Sequence, residues 1–467
     1  MSMPPPGKRV GLISLGCAKN RVDSEILLGE LSQRGHEITP DLARAEIVIV
    51  NTCGFIDEAR QESVDAILEA AARKGEGVER LYVAGCMVNR YAEELRREIP
   101  EIDGFIGLDD LQDVARLVQL GGTGVPSQSR SHVVFDHTAP RLLTTRGFAY
   151  LKVAEGCDNP CTFCAIPVWR GRFRSRTVES LVAEARQLEQ QGIQELVLVA
   201  QDTTRYGEDL GLGRHGLLSL VEALLAGTSM PWLRFLYAYP TTLDLELLRL
   251  MGTEERFASY LDIPLQHSHP EILRAMRRGG SPQRYLRLLD QARALVGDDL
   301  FVRSTFITGF PGEEEDHFRH LLEFVRAAEL DHLGAFVFSP EEDTPSASLP
   351  NRPTRRTATS RRRRLLEAQR PIALARRSAL VGRTLRVLCE GVCEESDHLL
   401  QGRHHGMAPE VDGRLLINDG GAPGGVLVDV EITDAFAADL VGRIVGPASD
   451  PRVTAAERWA GVAATTV

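Results

Sequence analysis

The sequence has no apolar run approaching the roughly 18 residues that a membrane-spanning helix needs. Its start, Met1 to Gly7, is rich in proline and lacks the apolar segment of a secretory leader. Basic charge is in deficit: 54 Lys and Arg against 65 Asp and Glu leave a formal net charge of −11. That balance argues against general affinity for nucleic acid and for basic partners. Cysteine is sparse, at 8 in 467 residues, and most of it falls in two triads. Odd triads do not make a disulfide framework, so the expected compartment is a reducing cytoplasm with no membrane partner. The remaining composition, 43% hydrophobic and 25% charged, is ordinary for a soluble chain of about three domains.

The densest chemistry lies in Cys157-Asp158-Asn159-Pro160-Cys161-Thr162-Phe163-Cys164. Soft thiolates at this spacing select zinc, copper(I) or an iron–sulfur cluster. A structural zinc wants four ligands, yet no fourth Cys or His is near, the closest being His137. Three thiolates on a four-iron cubane leave one iron open to a substrate or cofactor. A structural metal knot is the alternative.

Cys17, Cys53 and Cys86 are far apart in sequence, but each follows a short apolar strand: Val10 to Ile13, Ile47 to Val50 and Leu81 to Ala84. Helices are expected from about Asp23 to Arg34, stopped by Gly35, and from Asp57 to Ala72. In an open parallel sheet the carboxyl ends of the strands form the ligand crevice, so the three Cys are predicted to converge. Buried cysteines without a ligand are the other reading.

After a Gly/Ser/Pro-rich stretch at Gly121 to Arg130, strands and helices alternate again. Expected strands are Phe148 to Val153, Leu196 to Ala200, Phe235 to Tyr237, Tyr260 to Ile263, Val302 to Ile307 and Ala335 to Phe338, with helices such as Val178 to Gln190 and His317 to Ala328 between them. Six β–α units argue for a parallel barrel or open sheet whose chemistry sits on loops after the strands. Arg303 and Thr305 alternate on one face of a strand lining it, and a buried Arg there wants a carboxylate, the cofactor's or the protein's own. His267 and His269 read as loop hydrogen-bonders before metal ligands. Arg170 to Arg176 reads as an anion clamp or a solvated turn. The basic stretch Arg352 to Arg377 reads as one helix closing the domain, because Leu365, Leu366, Ile372 and Leu374 interrupt it.

The last stretch, Gly382 to about Gly446, reads as about five short β-strands in a small barrel. From Arg383 to Asp450, twelve acids from Glu390 to Asp450 face only Arg383, Arg386, Arg403, Arg414 and Arg443. An RNA-binding face is usually basic, so this balance suits a basic protein partner instead. Cys389 and Cys393 read as structural thiols.

The Cys157 stretch resembles the signature of the radical S-adenosylmethionine enzymes. Gly16-Cys17-Ala18-Lys19-Asn20, Asn51-Thr52-Cys53-Gly54-Phe55, Ala84-Gly85-Cys86, Leu265-Gln266-His267 and Gly309-Phe310-Pro311-Gly312-Glu313 resemble the methylthiotransferases of that superfamily. Ala408-Pro409-Glu410-Val411-Asp412-Gly413 resembles the carboxy-terminal TRAM module of their ribosomal-protein branch, the RimO type. The resemblance implies an α/β chain of three domains and a linker: an amino-terminal open parallel sheet (8–121), the linker (122–142), a partial (β/α)6 barrel (143–380) and a small antiparallel β-barrel, the TRAM domain (382–450). It implies two 4Fe–4S clusters. Cys157, Cys161 and Cys164 would hold one that chelates S-adenosylmethionine and yields a 5′-deoxyadenosyl radical. Cys17, Cys53 and Cys86 would hold the other, at which sulfur is delivered and methylated. Phe163 would pack near the adenine; Gln201, where many relatives carry Gly-Gly-Glu, would contact the cofactor, as would Arg303. The implied reaction is methylthiolation at the β-carbon of an aspartate in small-subunit ribosomal protein twelve, on or off the ribosome, with an electron donor. A tRNA-adenosine methylthiotransferase is the alternative that the acidic last module disfavours. A non-catalytic metal-binding ribosome adaptor is a further one.

Overall fold

The computed structural model describes residues 7–120 and 134–446. The expected linker stretch Gly121 to Arg130, residues 1–6 of the proline-rich start and the end of the last module beyond Gly446 lie outside the described residues.

Five strands, β1 (Arg9–Ser14), β2 (Glu37–Ile38), β3 (Ile47–Thr52), β4 (Arg80–Gly85) and β5 (Gly104–Ile106), form an all-parallel sheet in the order β2-β1-β3-β4-β5. The β3 run is buried at every position, as a strand covered on both faces must be. The first helix spans Ala18–Gln33 and ends where Gly35 takes φ +87°. It starts five residues before the expected Asp23, with Cys17 at the cap position. Consequently Lys19, Asn20, Asp23 and Glu25 are helical and buried. A helix carrying polar residues into burial is a bridging element, and this one packs between the first sheet and the next domain.

The central domain opens with β6 (Phe148–Lys152), followed by the short antiparallel pair β7 (Ala154–Glu155) and β8 (Arg174–Ser175), which clamps the intervening cysteine loop. Then come β9 (Glu195–Val199), β10 (Trp232–Phe235), β11 (Tyr260–Asp262), β12 (Phe301–Thr308) and β13 (His332–Val337). These make two parallel three-stranded sheets, β6-β9-β10 and β11-β12-β13, with β10 beside β11. The six strands form the expected partial barrel, with helices outside. The third strand differs: Phe235 to Tyr237 was expected, but pairing covers Trp232–Phe235, and Tyr237 has already left the sheet at φ +64°. The basic stretch is a single helix, Arg355–Ser378, with Arg361 bound to Glu313 at 2.8 Å and Arg376 to Asp331 at 2.7 Å.

The last module is a closed five-stranded barrel, β14 (Thr384–Cys393), β15 (Ser396–His404), β16 (Leu415–Asp419), β17 (Val426–Ala435) and β18 (Leu440–Gly446). It is antiparallel except for β16 and β18, which run parallel because β17 crosses between them. Its segment 403–413 plugs the amino-terminal end of the partial barrel. Arg403 reaches Glu195 at the start of β9 at 2.8 Å. Asp412 takes Arg303 at 2.8 Å, His332 at 3.2 Å and the Tyr260 hydroxyl at 2.6 Å. The Tyr150 hydroxyl donates to Glu410 at 2.9 Å. Phe301 meets the rings of His404 and His405 edge-on.

Acid is expected to loosen this joint. Burial, aided by Arg234, pushes His405 down to about 4, and burial also holds His332 and His404 below the ordinary value. These imidazoles are neutral in the fold and gain protons on unfolding. The unfolded chain therefore binds more protons between about pH 6.5 and pH 4, and stability falls as pH drops through that window. Urea denaturation at pH 7 and pH 5 should give a lower midpoint at pH 5; equal midpoints would contradict the assignment.

Candidate functional site

Cys17, Cys53 and Cys86 each follow a strand of the first sheet, and the structure brings them together. A Cβ placed on Gly16 would lie 2.6 Å from Cys53 Cβ and 3.0 Å from its sulfur. Only glycine, here at φ +93°, lets the two loops approach so closely. Burial and the neighbouring Cys17 and Cys86 push the Cys53 thiol up to about 12. Burial also raises Cys86, against the pull of Arg170. Cys17 goes the other way: burial opposes ionisation, but Lys19 and Arg170 bring its thiol below the ordinary value.

The second triad sits in the loop between β7 and β8, at the carboxyl end of the partial barrel. Gly156 (φ +74°) makes the turn into it, where a Cβ would strike the Arg172 carbonyl at 2.1 Å. Cys157 accepts the Asn159 amide at 3.4 Å, and Arg278 donates to Cys161 at 3.6 Å while stacking on Tyr239. Burial raises Cys157 to about 11 and Cys164 to about 12. Phe163 joins an apolar cluster with Ile272, Met276, Phe310 and Phe338, which ties the cysteine loop to the Gly309–Gly312 loop.

Arg170 joins the two halves. Its guanidinium contacts Cys86 through Nε and Nη2 at 3.3 and 3.2 Å, Glu155 through Nη1 at 3.0 Å, and Asp23 through Nη2 at 3.0 Å. Lys152 completes the ring, 2.5 Å from Asp23 and 2.9 Å from Glu155. Two cations and two carboxylates thus balance inside a buried interface, and Arg170 is only 2% exposed. Arg176 is buried as well and pairs with Glu184, so the Arg170-to-Arg176 stretch is not a solvated turn.

Among the described residues, the only three His, Cys, Asp or Glu side chains whose ligand atoms all lie within 4.8 Å of one another are His269, Glu271 and His317. Neither cysteine triad is that tight. A tetrahedral zinc with Zn–S near 2.3 Å holds its sulfurs about 3.8 Å apart.

Other expected residues fare differently. Gln201 is half-buried in the loop after β9, where its neighbour Asp202 holds Asn159 of the cysteine loop at 2.7 Å. Arg303 meets the protein's own Asp412 at 2.8 Å, one of the two kinds of carboxylate expected for it. His269 caps the helix Pro270–Ala275, and His267 accepts the His269 amide at 2.9 Å, the hydrogen-bonding roles expected of them. Cys389 and Cys393 are buried in the last barrel. Part of that module's acidity serves structure: Asp412 binds Arg303, Glu410 binds Arg21 at 2.5 Å, and Glu390 binds Arg403 at 2.6 Å. Sequence reading missed Asp23, Lys152, Glu155, Arg278 and Tyr239; the one available signal was their charge or hydroxyl beside otherwise apolar strands and helices.

Residues 9–107 match the family described as uncharacterized protein family UPF0004, 151–325 the radical SAM superfamily and 381–445 the TRAM domain. The chain is 43% identical over 443 residues to the ribosomal protein uS12 methylthiotransferase RimO of Trichlorobacter lovleyi, covering 94% of this chain and 98% of that one. It is 46% identical over 451 residues to the protein of the same name from Anaeromyxobacter sp. (strain K), covering 95% and 94%. In fold it is similar to the radical S-adenosylmethionine methyltransferase TsrM from Kitasatospora setae, with TM-score 0.53 and 17% identity over 73% of this chain and 77% of that one.

The electrostatics of the first triad predict an order of reactivity. Cys17 and Cys53 are comparably exposed, yet in metal-free protein at pH 8 a thiol at about 12 offers only about one thiolate in 10⁴. A short iodoacetamide pulse read by peptide mass spectrometry should label Cys17 well ahead of Cys53, and Arg170→Gln should shrink that lead. Equal labelling in the unaltered protein would contradict the assignment.

Proposed function

The chain belongs to the RimO family of ribosomal protein uS12 methylthiotransferases, and from that membership we propose how its residues divide the work. The protein is a radical S-adenosylmethionine enzyme that methylthiolates the β-carbon of an aspartate in uS12. The radical SAM domain implies one 4Fe–4S cluster and S-adenosylmethionine. Cys157, Cys161 and Cys164 hold that cluster, and the donor set fits it: three buried or half-buried thiols on one loop fixed by its neighbours. With both groups bound, the site has a one-electron reductant for the sulfonium and hence a radical able to take hydrogen from an unactivated carbon.

The protein's own residues do the rest. Arg278 donates to Cys161 and Asp202 anchors Asn159, fixing the open side of the loop toward the barrel. Phe163 closes one wall against Phe310. Cys17, Cys53 and Cys86 hold a second 4Fe–4S cluster, and Arg170 offsets its charge through the contacts to Cys86. The single observation that carries this reading is Arg170 itself, a residue of the radical domain bonded directly to a thiol of the amino-terminal triad. A sulfur-bearing centre and a radical-bearing centre then lie at one buried domain interface. Functional boundaries follow at 8–121, 143–380 and 382–450, the first two joined by 122–142. The reaction runs in the cytoplasm with an electron donor, and tRNA is not a substrate; the acids left on the last module, such as Asp397 and Asp419, suit a basic protein.

The test is anaerobic. Reconstituted enzyme with S-adenosylmethionine, sulfide and reductant is offered a uS12 aspartate-loop peptide and, separately, a tRNA anticodon stem-loop, and products are read by mass spectrometry. The peptide alone should gain a methylthio group. Cys157→Ala should abolish both product and 5′-deoxyadenosine. Cys53→Ala should still release 5′-deoxyadenosine but give no methylthio product. A methylthio increment on the RNA alone, or an active Cys53→Ala enzyme, would contradict the reading.

A further inference from the structure

We propose that Lys19 receives the side-chain carboxylate of the substrate aspartate, as a positioning and specificity-determining residue. The inference rests on the function proposed above.

The chain's lysines are Lys8, Lys19, Lys74 and Lys152. Three of them have carboxylate partners: Lys8 with Glu79, Lys74 with Asp103, and Lys152 with Asp23 and Glu155. Lys19 has none among the described residues, although it is only 4% exposed. Its ammonium lies 3.6 Å from the centroid of the Tyr237 ring. Burial works against the charge while the Tyr237 ring and hydroxyl and the Cys17 sulfur favour it, and none of these partners is a carboxylate.

The nearest acid on the barrel side is already engaged. Asp262 accepts the Tyr237 amide at 2.9 Å and faces Arg303 at 3.7 Å. Arg303 is itself satisfied by Asp412. Lys19 is therefore a buried ammonium with no carboxylate of its own, held by the Tyr237 ring and hydroxyl and by the nearby Cys17 sulfur, at the seam between the two cysteine sites. On one side, two residues away, is Cys17. On the other is the mouth of the partial barrel, where Tyr237 follows β10, Asp262 ends β11, and the Thr203 amide donates to the Tyr237 carbonyl at 3.1 Å.

The place suits the substrate. An aspartate must bring one negative charge into this buried seam, and its reactive β-carbon is bonded directly to the carboxyl carbon. A charge-assisted hydrogen bond of about 2.7–2.9 Å from an ammonium to that carboxylate fixes the carbon as well. Such positioning is what a reaction between two fixed centres requires. The same contact disfavours an asparagine, whose amide oxygen can accept a hydrogen bond but brings no charge to the ammonium.

The experiment uses the full-length, cluster-loaded enzyme with S-adenosylmethionine and fluorescent uS12-loop peptides carrying either Asp or Asn at the target position. Binding is read by anisotropy. The unaltered enzyme should prefer the Asp peptide by about tenfold or more. Lys19→Met should bring the ratio close to one by weakening the Asp peptide, and Lys19→Arg should restore part of it, with iron content and visible spectrum unchanged in both. A Lys19→Met enzyme that keeps the preference would overturn the proposal. So would one that loses iron, since Lys19 would then serve the metal site beside Cys17. An unaltered enzyme that binds neither peptide would remove the uS12 reading itself, an outcome distinct from both.

Discussion

The structure depends on one buried ionic contact, the guanidinium of Arg170 set among Asp23, Glu155 and the Cys86 sulfur. Asp23 comes from the first helix, while Glu155 and Arg170 flank the cysteine loop of the radical domain. Breaking such a buried set by removing one partner costs about 3–5 kcal/mol, because a charge is left unpaired. Its value here is registration. Five donors in a rigid fork can satisfy a thiol and two carboxylates at once, a geometry that a lysine could not reproduce. The contact fixes the first sheet's crevice over the mouth of the partial barrel.

The opposite end of the barrel is closed by the same means. The TRAM segment 403–413 inserts Arg403, Glu410 and Asp412 among Glu195, Tyr150, Tyr260, Arg303 and His332. In a parallel barrel the amino-terminal face carries stability and the carboxyl-terminal face carries chemistry. The chain keeps to that division: a charged plug below, two thiol triads above. The motif Ala408 to Gly413, which in sequence pointed to the ribosomal-protein branch, is a structural joint rather than a surface offered to a substrate.

Much of this was legible in the sequence. The helix Asp57–Ala72 and the helix Val178–Gln190 fall where periodicity put them, and the three strand-end cysteines converge because side chains after parallel strands have nowhere else to go. What stayed hidden was long-range charge pairing. Asp23 looked like the start of the helix because nothing local reveals that the helix begins at Ala18 and is covered by a second domain. Arg303 announced its need for a carboxylate, but its partner lies 109 positions away. Net charge misled in detail for the same reason: Glu390, Glu410 and Asp412 count as acidity in composition, yet cations neutralise them in the fold.

The central claim is that the two thiol triads meet across one buried contact, that of Arg170 with Cys86. Electron paramagnetic resonance of the reduced, fully loaded enzyme tests it most directly, against the variants Cys17/Cys53/Cys86→Ala and Cys157/Cys161/Cys164→Ala. Two paramagnetic centres across the Arg170 contact should interact, so the spectrum of the intact enzyme should be broadened and faster-relaxing than the sum of the two variant spectra. A spectrum equal to that sum would mean two independent sites and would contradict the account.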